Sequence, residues 1–166
     1  MSSGATYVIF DGDKDHWAYA FMKGWKVNDR VEFDFRDAHD IGSMTGRAED
    51  EEYVKSELRK RMKASSQVVV LVGESTKYLQ KFVGWEINLA LELDLPIIVV
   101  NLNEKRNLDS ERCPVPLRTG YIVHIAFKRA IIKYALENFP GEFASRDRNA
   151  TEPRNYSDEV YRKLGL

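Results

Sequence analysis

With one cysteine in 166 residues, Cys113, the chain can close no internal disulfide. It has little excess charge of either sign: 25 basic residues stand against 26 acidic ones, a net charge of -1, and nothing in that balance points to a nucleic-acid or membrane partner. The amino-terminal "MSSGATYVIF" lacks the basic segment and the apolar run of a signal peptide, so the expected location is a reducing cytoplasm. His16, His39, His124 and Cys113 lie far apart without metal-ligand spacing, so no zinc or other metal site is expected. There is no P-loop, no dinucleotide fingerprint and no internal repeat.

What is present is a chain long enough for one compact domain with a real core. Five short β-branched and aromatic runs read as strands: "TYVIF", "VEFDF", "QVVVLV", "PIIVV" and "YIVHIAF". The central ones are continuously apolar, as strands covered on both faces should be. Helical patterns fall between them over 14–25, 49–64 and 79–93, and a last one over 127–139. In the second, "EDEE" opens and "RKRMK" closes the pattern, charges that complement the two ends of a helix dipole. Strands alternating with helices predict an α/β three-layer sandwich, flavodoxin-like, around a five-stranded parallel sheet. The segment 101–120 reads as a long loop with at most a short helix. Pro140 and Gly141 are expected to stop the last long helix, dividing the chain into a domain at 1–140 and an extension at 141–166, where a linker leads to a short helix capped by Ser157.

In such sheets ligands sit beyond the carboxyl ends of the strands, where strand order reverses. That rule selects Phe10, Asp11, Gly12, Asp13 and Asp15 after the first strand, Arg36, Asp37 and His39 after the second, and Gly73, Glu74, Ser75 and Thr76 after the third, with Asn101 and Asn103 after the fourth. Glu86 stands out more. At roughly 100° per residue, Phe82, Val83, Leu89, Ala90 and Leu93 share one arc with Glu86 at its centre, while Lys81, Gly84, Asn88 and Glu92 occupy the other side. A carboxylate on an apolar stripe needs a polar cavity or a distant cation. It is either a functional group in the crevice or one half of a structural ion pair with Arg36 or Arg47.

Other candidates have plainer readings. The aspartates of "FDGDKDHW" fit turn and capping chemistry better than metal binding or phospho-acceptance, because a receiver would need an aspartate where this chain has "LVGES". "IGSMTGR" reads as a surface loop rather than a phosphate cradle, and Cys113 as an ordinary thiol. Trp17, Tyr19, Phe21 and Trp25, at helical spacing, read as core.

The run from "YVIFDGDKD" through "FDFRDAHD" and "YVKSELRKRMKASSQVVVLVGEST" to "KFVGWEINLALELDLPIIVVNLN" resembles Toll/interleukin-1 receptor (TIR) domains, and more closely the bacterial TIR-like branch of Thoeris anti-phage systems. The likeness spans roughly residues 5 to 140, and its most specific part is the turn "GES", Phe82 and the glutamate four residues later. It implies an enzyme that takes NAD as substrate, with no resident cofactor, and breaks the nicotinamide–ribose bond to form an ADP-ribose-derived messenger, cyclic forms included, that activates a separate effector. Glu86 matches the catalytic glutamate. Phe82 stands where the family usually has tryptophan. Phe10, Asp11, Arg36, Asp37 and Ser75 would line the nucleotide pocket, and Phe82 or Trp85 would stack on a ring. Self-association and a phage-protein trigger are the partners implied. The alternatives are a non-catalytic TIR-like scaffold and, further off, a receiver-like or flavin-binding module of the same architecture.

Overall fold

The structure is a computed structural model that describes residues 5–29, 35–36 and 51–166, with the backbone alone at 26–29, 35 and 36. Four strands carry most of the sheet: β1 (Ala5–Ile9), β3 (Ser65–Val72), β4 (Ile97–Asn101) and β5 (Val123–Ala126). A fifth, β2 (Phe35–Arg36), pairs along Thr6 and Tyr7 of β1. All pairings are parallel, in the order β2-β1-β3-β4-β5. This is the doubly wound order of flavodoxin-like sheets, and strand order reverses between β1 and β3. Residues 31–34 of the second expected strand lie outside the described residues.

Helices cover both faces: α1 (His16–Asp29), α2 (Glu51–Lys63), α3 (Phe82–Glu92), α4 (Arg129–Ala144) and α5 (Asp158–Lys163). Because side chains alternate along a strand, each central strand feeds two cores. Val8, Phe10, Val69, Leu71, Ile98 and Val100 meet Tyr19 and Met22 of α1, Ile131 to Phe139 of α4, and Tyr161 of α5. Tyr7, Ile9, Val68, Val70, Val72, Ile97 and Val99 meet Leu58 and Met62 of α2 and Val83, Ile87, Leu89 and Ala90 of α3.

Two expectations need correction. The last long helix does not stop at Pro140 and Gly141 but runs on to Ala144. Proline removes one backbone donor there and weakens the turn. Phe139 and Phe143 compensate by packing on Tyr121 with ring centroids 5.8 and 6.3 Å away, and the Arg146 side chain donates to the Phe143 carbonyl at 2.7 Å. The expected boundary at 140 therefore falls inside α4, and the chain beyond it lies along the edge strand: Arg154 N donates to the Ile122 carbonyl at 2.8 Å, and His124 N to the Arg154 carbonyl at 2.9 Å. Ser157 caps α5 as expected, its side chain accepting from Val160 N. The second correction concerns the aromatics of α1. Tyr19 is buried and Trp25 half-buried, but Trp17 and Phe21 are exposed, on the outer side of the helix, with Trp17 edge-on to Phe127.

Candidate functional site

Where β1 and β3 end side by side, the chain builds a cleft of about 540 Å³. One wall is the turn into α1, with Asp11, Gly12, Asp13 and His16; the other is the segment into α3, from Tyr78 to Val83. The two walls are tied together by Asp11. One of its carboxylate oxygens accepts from the backbone N–H groups of Asp13 at 3.0 Å and Lys14 at 3.2 Å, and the other accepts from Ser75 Oγ at 3.1 Å. Asp11 thus does turn chemistry and at the same time fixes the loop after β1 to the loop after β3.

A second link lies beside it. Gly73 N donates to Thr76 Oγ1 at 2.9 Å, and the Asp15 carboxylate fills the space over Gly73 so closely that a Cβ there would stand 2.4 Å from Asp15 Oδ2. Glycine is the residue that lets this carboxylate tuck in. Burial, with the neighbouring Asp11 carboxylate adding to it, raises the Asp15 pKa; the Thr76 hydroxyl acts in the opposite direction.

Glu86 is 4 % exposed, in the middle of α3, on the face turned to the sheet. Tyr7, on the facing strand β1, donates its phenolic O–H to Glu86 Oε2. Phe82 and Val83, four and three residues earlier on the same helix face, line the cleft. Glu86 lies one turn further along the helix and is not itself a lining residue. The ion-pair alternative for it falls on the Arg36 side chain and on Arg47, both outside the described residues.

The remaining expected site residues separate. Asp11 and Phe82 line the cleft, and Ser75 reaches it through its bond to Asp11. Phe10 is buried in the α1-side core, stacked on Tyr19 at 4.7 Å, and Trp85 lies against α2 with Lys55 and Arg59 over its ring at 5.6 and 5.7 Å; neither is among the cleft-lining residues. Arg36 has its backbone in β2, and Asp37 lies outside the described residues. Cys113 is buried, and that burial pushes its thiol up to about 12, keeping it protonated and inert.

Sequence reasoning missed Tyr7, the wall from Tyr78 to Lys81, and the place of His16. For Tyr7 a signal existed: a phenol in a strand otherwise buried on both faces needs a polar partner, and the neighbouring helix carries a lone carboxylate on its apolar stripe. The Tyr78 to Lys81 wall had no such signal, because its position depends on the Gly73–Thr76 turn.

Comparison with known proteins adds one finding. The family model described as Thoeris protein ThsB, TIR-like domain, matches residues 7–107, a span that includes every cleft-lining residue together with Tyr7 and Glu86. No curated protein matches the chain.

Proposed function

We propose, from the premise that this chain belongs to the Thoeris ThsB TIR-like family, that it breaks the nicotinamide–ribose bond of NAD and passes the ADP-ribosyl group on to form a signalling nucleotide in anti-phage defence. The observation that carries this reading is a buried carboxylate on an apolar helix face, one turn beyond two residues that line a cleft at the switch point of the sheet. Loss of nicotinamide develops positive charge on the ribose, and a carboxylate in a dry setting stabilises such charge far better than one in water. A single carboxylate suffices, because nicotinamide leaves as a neutral molecule and needs no general acid.

In this reading NAD enters between the Asp11–His16 wall and the Tyr78–Val83 wall, Phe82 stacks on a planar ring, and Lys81 offers a cation to the pyrophosphate. Contact with the ribose requires Phe82 and Val83 to part enough for Glu86 to face the cleft. The nucleophile that accepts the ribosyl carbon then fixes the product: water gives ADP-ribose, an internal hydroxyl a cyclic isomer.

A second reading, a protein-interaction module, is favoured by a groove on the other side of the Leu79–Val83 wall. Val115 is 68 % exposed and, with Leu79, Pro114 and Pro116, lines a groove of about 250 Å³ between the start of α3 and the Pro114–Pro116 turn. Exposed apolar groups around a groove suit a protein contact.

The two readings part in one assay. The protein is incubated with NAD, with and without phage-infected lysate, and released nicotinamide is followed for wild type and Glu86→Gln. The enzymatic reading expects the variant to lose turnover by about 100-fold or more. Equal turnover by the two proteins contradicts it.

A further inference from the structure

Tyr7 is fully buried in the middle of β1, where its Cα pairs with Arg36 of β2 on one side and Val68 of β3 on the other. Its ring packs among Ile9, Val68, Val70 and the α3 residues Val83 and Ile87, a setting that a phenylalanine would fill equally well. The hydroxyl adds nothing to that packing, and burying it is unfavourable unless it is hydrogen-bonded. Its bond goes to Glu86 Oε2.

The two partners are held differently. Tyr7 sits on a strand paired on both sides and has only two side-chain torsions. Glu86 has three, and its helix begins without a side-chain cap. A donor fixed on the sheet therefore favours one orientation of the carboxylate.

We propose that Tyr7 is a positioning residue for the reaction: its hydroxyl holds Oε2 of Glu86 and so orients the carboxylate next to the Phe82–Val83 wall through which the ribose would be reached. This rests on the reading of Glu86 as the catalytic carboxylate. It assigns to β1, whose contribution to the site had been confined to the loop that follows it, a second role from within the strand.

Tyr7→Phe keeps the ring and removes the donor. With NAD as substrate, its kcat is expected to fall roughly 10- to 100-fold, the size of one hydrogen bond to a charged group, with KM within about twofold of wild type. A merely structural tyrosine would lower the melting temperature and leave kcat of the folded protein unchanged. In parallel, isotope-edited infrared spectra identify the Glu86 carboxylate stretch as the band lost in Glu86→Gln, and that band should shift in Tyr7→Phe whether or not the protein turns over NAD. An inactive Glu86→Gln beside a Tyr7→Phe with wild-type kcat overturns the role of Tyr7 alone; a fully active Glu86→Gln overturns the enzymatic reading beneath it. Should Tyr7→Phe fold too poorly to assay, the protein made with fluorinated tyrosine decides: a shift of the Glu86 band as the phenol becomes a stronger donor supports the assignment, and an unmoved band overturns it.

Discussion

Against one face of the sheet lie α1, α4 and α5, joined by aliphatic and aromatic side chains such as Met22, Ile131, Leu136, Phe139 and Tyr161. Against the other lie α2 and α3, and within that layer or beside it the chain buries Tyr7, Glu86, Cys113 and His124. Both faces are closely packed and each buries a phenol, Tyr161 in the first and Tyr7 in the second, but the second adds a buried carboxylate, Glu86, and a buried imidazole, His124. Apolar packing holds a fold at any pH, whereas buried ionisable groups make stability depend on protonation, a cost that chains tolerate where a site needs them. The first face reads as scaffold, and the second holds the carboxylate on which the proposed chemistry rests.

The largest effect that sharpens this contrast should come from the scaffold face. Tyr161 is fully buried although it belongs to the last short helix, and its hydroxyl accepts from Ala126 N at 3.2 Å. Tyr161→Ala should cost about 3–5 kcal/mol, read by chemical denaturation, and should leave nucleotide binding by the folded fraction unchanged. A small loss would mean that residues 145–166 contribute little and that the scaffold is less continuous than described.

The next effect belongs to the other face. His124 is fully buried on β5, neither ring nitrogen finds a hydrogen-bond partner among the described residues, and desolvation pushes its pKa down to about 4. Its unfolded value is near 6.5, so between those two pH values the unfolded chain holds the extra proton and stability rises with pH. The contribution is complete above pH 6.5 and fades as pH falls toward 4. Between pH 6.5 and 5 the loss should be on the order of 2 kcal/mol, measured as a shift in denaturation midpoint, and His124→Leu should flatten that part of the curve. A wild-type curve already flat over this range would place no buried neutral histidine in this face.

How much of this the sequence disclosed depended on whether the cause was local. β3 and β4 were legible because "QVVVLV" and "PIIVV" are apolar on both faces, which only a covered strand tolerates. Glu86 was legible because it interrupts a helical stripe of its own making. The continuation of α4 past Pro140 was not, since it depends on Phe139 and Phe143 meeting Tyr121 from another part of the chain. Trp17 and Phe21 were misread because helical spacing does not say which side of α1 meets the sheet. Phe10 and Trp85 were expected at the nucleotide pocket, but their side chains turn into the two cores and not the cleft, a choice set by strand alternation and by α2. Tyr7 escaped because a tyrosine in a buried strand looks like ordinary core until its partner across the layer is known.

The most direct test of the central claim is a crystal structure of the protein with an uncleavable NAD analogue in which a methylene replaces the ring oxygen of the nicotinamide-bearing ribose. The account predicts the analogue in the cleft between Asp11 and Phe82, with the ring carbon that bears nicotinamide about 3–3.5 Å from a Glu86 carboxylate oxygen. An analogue bound elsewhere, with Phe82 and Val83 still closed over Glu86, would contradict it.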